Sequence, residues 1–277
     1  PVQTPGVIQQ AAEAGCHIYA EKPCARTAEE FLPAMAAIEQ AGVRFATGYM
    51  RHFSPVARTI KQFIEAGYLG RLVSAEARLI TTSVASRNLA HWMFDRDQTG
   101  GGIFHWLGCH WLDLFRWAAS SEVANVAAIL ATQSGEAIDV EDVGTLALRY
   151  DNGMVGAIHC AYVVDPGSGE DTNQWFIGFR GTLGWVKWGP TEQEIKVRSL
   201  HPDWQTAQTR TLRFDADKTP GYGGATGMFA LREFIASFRD GAPPPFTPID
   251  ALRVLETLDA AQASSREGRH VAPVRHG

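Results

Sequence analysis

Apolar positions change their period along the chain, and that change divides it in two. Over the first fifty residues, helix-like spacing alternates with short apolar runs. Pro5 to Ala14 reads as a helix ending at Gly15, His17–Ala20 as a short strand, and Glu21-Lys22-Pro23 as the turn that follows. Thr27, with Glu30 three residues on, is a capping-box signal for a helix that runs to Ala41 and stops at Gly42. Val43–Thr47 is a second short strand. Helices between short apolar strands predict a parallel sheet with crossover helices.

After Gly67 the period becomes two. Leu72–Thr81 places Val73, Ala75, Ala77 and Leu79 on one face, with Ser74, Glu76 and Arg78 on the other. Val143–Tyr150 and Met154–Val163 flank Asp151-Asn152-Gly153, a strong hairpin signal. Phe176–Arg180, Gly184–Trp188, Glu194–Ser199 and Thr209–Phe214 continue as short strands, and helices are expected at about 226–240 and 249–266. Between the two regions, Gly100-Gly101-Gly102 leads into Ile103–Ala118, which is apolar nearly all round and therefore reads as a buried helix. The pattern predicts an α/β segment followed by an α+β domain with a large antiparallel sheet.

Composition narrows the function classes. The 277 residues are 45% hydrophobic and 20% charged, which is ordinary for a globular chain. A formal charge of −5 argues against a broad nucleic-acid-binding face. No apolar run approaches the roughly 18 residues a membrane helix needs. Cys16, Cys24, Cys109 and Cys160 lack zinc-type spacing and are too sparse for a disulfide scaffold. These features point to an intracellular, cytoplasmic enzyme, with no metal, nucleic acid or membrane partner expected.

The buried helix carries His105, His110 and Asp113 among aromatics. At helical spacing Trp106, His110 and Asp113 share one face. A buried imidazole with a carboxylate one turn away suits a general base and its orienter, and equally suits a satisfied core pair. Lys22 follows a strand, at the end where open α/β sheets bind ligands, although any single loop lysine can simply be solvated. The glycine-rich run Gly221–Gly227 imitates a phosphate loop but follows no strand, and the nine histidines form no metal-binding pair.

Several segments, in order, resemble the Gfo/Idh/MocA family of glucose–fructose oxidoreductase, inositol dehydrogenase and their relatives. They are Thr4-Pro5, Ala14–Ile18, Ala20-Glu21-Lys22-Pro23, Gly48-Tyr49-Met50-Arg51-His52-Phe53-Ser54-Pro55, Gly67–Gly70, Gly100–Gly102 with Gly108-Cys109-His110 and Asp113, and the tail 250–268. The resemblance implies a partial Rossmann-type parallel sheet over 1–52, in a dinucleotide-binding domain. It also implies a substrate-binding and oligomerisation domain over 53–277, built on a large, mostly antiparallel sheet. NAD or NADP is the implied cofactor, a sugar, cyclitol or related polyol the substrate, and hydride transfer the reaction. Lys22 and His110 are the implied catalytic pair, with Thr4, Pro5, Glu21 and Lys22 at the cofactor. Arg51, Trp92, Trp106, Asp113 and Tyr162 are the implied substrate contacts. A homodimer or homotetramer is expected.

Two departures qualify the resemblance. The family opens with a strand, a G-x-G-x-x-G loop and a helix, so an upstream part of the nucleotide domain is expected to be missing. At the position of Trp106 the family usually carries aspartate, which leaves a non-catalytic binding homologue as one alternative. A lyase or glycosidase using transient oxidation is another.

Overall fold

The computed structural model describes residues 1–168, 173–189, 193–215, 217–221 and 223–277. Helix α1 (Thr4–Glu13) leads to strand β1 (Ile18–Ala20), helix α2 (Ala28–Ala41) and strand β2 (Phe45–Thr47). Strands β1 and β2 pair in parallel, Ile18 opposite Phe45 and Ala20 opposite Thr47. The Thr27 side chain accepts the Glu30 N–H, and Gly42 closes α2 in the left-handed conformation at φ 63°. Only half of the capping box forms, because the Glu30 carboxylate turns to the Arg26 guanidinium and N–H instead. Ile8, Phe31, Ile38 and Phe45 make a small core that Leu252 and Leu255 complete from the far end of the chain.

The remainder runs helix α3 (Pro55–Glu65), strand β3 (Leu72–Thr82), the single turn α4 (Arg96–Thr99), helix α5 (Cys109–Ala119) and strands β4 (Val123–Ala131), β5 (Val143–Tyr150) and β6 (Val155–Val164). Strands β7 (Asn173–Gly181), β8 (Gly184–Trp188), β9 (Glu194–Ser199) and β10 (Thr209–Arg213) follow, then helices α6 (Gly224–Arg239) and α7 (Pro248–Glu267). The eight-stranded sheet has the order β10-β9-β8-β7-β3-β6-β5-β4. Its neighbours are antiparallel except β3 and β6, which pair in parallel, Ala77 opposite Ile158. The sheet is therefore mixed rather than wholly antiparallel. Local alternation fixes which face a residue takes and carries no information on the direction of a distant partner.

One face of this sheet carries the main core. Ala77, Ile158, Ile177 and Phe179 point inward and are buried, while Val155 and Val163 stay exposed on the other side; Val73, expected on the face of Ala77, is exposed instead because the register shifts between Leu72 and Ser74. Helix α5 covers the inner face, with Phe115 edge-on to Phe179 at 5.3 Å and Trp111 at 6.0 Å from Trp175. The β4 edge is protected. Ser264 and Ser265 of α7 accept the N–H groups of Ala128 and Leu130, and Val271 bridges to Val126.

The predicted helix Ile103–Ala118 is not uniform. Phe104–Gly108 form a wider π-type turn in which the Cys109 N–H reaches the Phe104 carbonyl, and only then does α5 begin. Gly108 permits this, since a Cβ there would press on the Phe104 ring. The glycine triplet before it threads between backbones. Gly100 takes φ 81°, and side chains at 101 and 102 would strike the His105 ring and the Glu141 carbonyl. No helix among the described residues is long and apolar enough to cross a membrane. Gly102→Ala should therefore cost about 3 kcal/mol or more in urea denaturation, at the upper end of overpacking costs, because the obstructing atom is backbone. A loss below about 0.5 kcal/mol, the ordinary scatter of a surface change, would mean the passage is looser than described.

Candidate active site

Lys22 stands just beyond the carboxyl end of β1, and the Lys22–Pro23 bond is cis. A Cβ at Gly48 would lie 2.8 Å from Glu21 Oε2 and 3.3 Å from the Lys22 nitrogen, so glycine lets the two strand ends close together. The Lys22 ammonium donates to the main-chain carbonyl of Trp106 in the π-type turn and lies 5.7 Å from the Trp106 ring centroid. That contact spans 84 residues and joins the parallel pair to the entry of the buried helix.

His110 lies in the first turn of α5, half-buried, with the Tyr49 ring edge-on at 6.0 Å. Its Nδ1 is enclosed without a hydrogen-bond partner among the described residues. Burial holds its pKa well below the usual imidazole value, and the positive fields of Lys22, Arg51 and His52 add to that effect. The imidazole is therefore neutral and able to accept a proton at neutral pH, and exchange with a ligand falls to Nε2. Lys22 has three N–H donors, so one bond to a carbonyl leaves two for a ligand oxygen.

Asp113 does not join this group. It is fully buried, with Oδ2 2.7 Å from His52 Nε2, and so cannot form part of a substrate-facing wall. The carboxylate faces the core beneath the site. Burial raises its pKa while the His52 contact and Arg116 pull it down. His52 is held against Trp117, stacked at 4.5 Å, and Phe246 at 4.9 Å. Sequence reasoning missed His52 as a partner, although it stands beside Arg51 in the segment that carried the resemblance.

The other expected residues separate. The Arg51 guanidinium covers the Trp111 ring at 4.3 Å. Trp92 meets Trp106 edge-on at 5.1 Å. Tyr162 is almost wholly buried, with the Arg87 guanidinium 4.5 Å over its ring, and burial pushes its phenol pKa up. Thr4 and Pro5 open α1, whose amino end has no side-chain cap, and Glu21 is exposed at the strand end. His105 turns away to the Arg26 carbonyl at 3.3 Å, and burial lowers its pKa. In the glycine-rich run, Tyr222 lies outside the described residues. At the start of α6 the Asp217 carboxylate already accepts the Ala225 N–H at 2.7 Å, where an anion would have to bind. No group of three or more potential metal-ligating His, Cys, Asp or Glu side chains gathers among the described residues.

A parallel strand pair with a lysine at its carboxyl end, beside a large mixed sheet whose covering helix carries a half-buried histidine, makes a Rossmann-like two-part fold. Residues 57–186 match the GFO/IDH/MocA C-terminal domain. The chain is 31% identical over 156 residues to the uncharacterized oxidoreductase YrbE of Bacillus subtilis, covering 55% of this chain and 43% of that protein. It is 27% identical to scyllo-inositol 2-dehydrogenase (NAD(+)) of Bacillus subtilis, over 98% of this chain and 75% of that protein. The chain spans less than half the length of the leading curated relatives, 43% and 44%. A solved levoglucosan dehydrogenase, in complex with NADH and levoglucosan, shares the fold at TM-score 0.87 and 23% identity, covering 99% of this chain and 78% of that one.

His52→Ala should strand the Asp113 carboxylate and cost about 3–5 kcal/mol at neutral pH. Removing the imidazole raises the folded-state pKa of Asp113 further above its unfolded value, so the stability deficit grows as pH rises through that pKa and shrinks on acidification. Urea denaturation between pH 5 and 8 checks both the size and the sign; a deficit that does not vary with pH would contradict the pairing.

Proposed function

We propose that the chain is part of an NAD(P)-dependent oxidoreductase that moves a hydride between a nicotinamide cofactor and a secondary alcohol of a sugar, cyclitol or related polyol. The observation that carries this reading is the meeting of Lys22 with the turn that presents His110. The relatives' names point the same way, since they include an NAD(+) inositol dehydrogenase and a levoglucosan dehydrogenase. In this reading residues 1–52 belong to the dinucleotide-binding domain and 53–277 form the substrate and assembly domain.

The residues present fit such a cofactor. In a helix–strand unit the amino end of α1 lies at the carboxyl end of β1, so its uncapped first-turn N–H groups and the Lys22 ammonium favour an anionic, oxygen-rich ligand at one end of the parallel pair. Thr4, Pro5, Glu21 and Lys22 would hold it there. When bound, the nicotinamide supplies hydride chemistry that no side chain can provide. His110 takes the hydroxyl proton of the alcohol on Nε2, and its depressed pKa keeps it unprotonated for that task. Lys22 donates to the same oxygen and stabilises the negative charge that develops there. Trp106 meets Lys22 through its carbonyl and carries Trp92 edge-on, while Arg51 adds its positive field at His110.

Lys22→Ala should lower kcat by about 10²–10³ with a much smaller change in KM, because the ammonium is needed most in the transition state. Lys22→Arg should not restore it, since the guanidinium fork cannot occupy the same point. Steady-state nicotinamide reduction with polyol substrates measures both; retention of more than half of wild-type kcat in Lys22→Ala would refute the assignment.

The same reading includes a homodimer or homotetramer formed through the outer sheet face, where Val73, Val155 and Val163 are exposed around the polar Glu76, Arg180 and His159. Light scattering should return at least twice the chain mass at micromolar concentration, and the single-chain mass would count against it. A cytoplasmic setting accords with Cys16, Cys24, Cys109 and Cys160 all being free thiols.

A further inference from the structure

His105 is 1% exposed, in a stretch whose other side chains include Ile103, Phe104 and Leu107. An imidazole costs more to bury than any of these, and a polar group kept at that depth is tied to a hydrogen bond. Its acceptor is the Arg26 carbonyl, 3.3 Å from Nε2, in the loop 21–27 between β1 and α2. A carbonyl can only accept, so Nε2 carries the proton and Nδ1 is bare. Nδ1 has no hydrogen-bond partner among the described residues and lies against Gly101, where a Cβ would come within 2.2 Å of it. Burial lowers the pKa of this imidazole, partly opposed by Glu141, and the ring is neutral at neutral pH.

The same loop carries Lys22. Toward β2 and α2 the loop is held by the Cys24 thiol against Thr47 Oγ1 at 3.3 Å and by the Arg26 N–H on Glu30 at 3.3 Å. Neither contact fixes it relative to α5. Three hydrogen bonds among the described residues cross to that side: Lys22 to the Trp106 carbonyl, the Arg26 guanidinium to the Asp97 carbonyl, and His105 to the Arg26 carbonyl. The bond to Asp97 is at the surface, where water competes for it. The bond from His105 is enclosed, and Gly100 closes over the carbonyl so nearly that a Cβ there would lie 2.6 Å from the oxygen.

We propose that His105 is a positioning residue: its Nε2–H holds the Arg26 carbonyl, and with it the loop that carries Lys22, in register with the turn that presents His110. This rests on the oxidoreductase reading above and adds a residue that acts through the loop and not on the substrate. A misplacement of about 1 Å in a reacting group can cost 10²-fold in rate, so slack in this loop lowers turnover.

The test compares His105→Gln and His105→Leu in the intact protein. The Gln amide can place an N–H where the imidazole Nε2–H stood, whereas Leu fills space without a donor. His105→Leu should lower kcat about 10–100-fold with KM within about twofold, and His105→Gln should recover most of that loss. Ring-labelled NMR of His110 gives a readout independent of activity. His105 is neutral, so removing it takes no charge from His110, whose midpoint shifts only if the surrounding cations move, Lys22 first among them. His105→Leu should raise that midpoint by about half a unit, and His105→Gln should leave it in place. Equal losses of kcat in the two variants, or an unmoved His110 midpoint in folded His105→Leu, would overturn the proposal. If circular dichroism shows that His105→Leu does not fold, the ring-nitrogen shifts of wild type decide. Nε2 protonated with Nδ1 bare supports the proposal, and the opposite tautomer or an imidazolium at neutral pH overturns it. If wild type turns over no sugar or polyol, the oxidoreductase reading fails on its own, and the His110 midpoint still decides what His105 holds in place.

Discussion

The passage of Gly100-Gly101-Gly102 between the Arg26 and Glu141 backbones and the His105 ring is the constraint on which the rest of the site depends. Any side chain there would strike Arg26, His105 or Glu141, so only glycine passes without displacing them. That passage sets the π-type turn over Phe104–Gly108, and the turn places the Trp106 carbonyl within reach of Lys22 and His110 at the head of α5. A lysine at the end of a two-stranded parallel pair and a histidine on a helix over an eight-stranded sheet are brought together by backbone geometry. Neither residue selects the other.

Electrostatics then divides the labour among the polar groups in this small volume. Lys22, Arg51 and His52 all press their positive fields on His110, and burial acts in the same sense, so this imidazole is kept neutral. Asp113, three residues further along, would have cancelled that effect had it faced His110. It faces His52 instead, whose ring is held against Trp117 and Phe246. Arg116 ties the same helix to α7 through Asp250 and to Glu122, so the lower half of α5 is fixed by ion pairs.

Much of this was legible in the residues, and the omissions have physical causes. Asn152-Gly153 declared its hairpin because a turn with positive φ restricts residue choice, and Gly153 takes φ 84°. Strand β4 escaped notice because its outer edge is satisfied by α7 and the tail, so Val123–Ala131 does not keep a strict alternation of burial. Helix α3 went unread in the same way, with Pro55 at its start as the missed signal. The parallel β3–β6 pair and the His52–Asp113 contact are long-range facts with no local signature. Lys22 and His110 were singled out by residue type and resemblance, whereas the turn that makes them neighbours shows in the sequence only as Gly108, a residue with many other uses.

Burial and the Lys22 charge together hold the His110 imidazole neutral. Its titration in the intact protein, followed by NMR on ring-labelled histidine, tests this most directly. His110 should show no protonation from neutral pH down through the ordinary imidazole range near 6.5, and Lys22→Met should move its midpoint upward by removing the nearby cation. An ordinary midpoint in wild type, unmoved by Lys22→Met, would contradict the account.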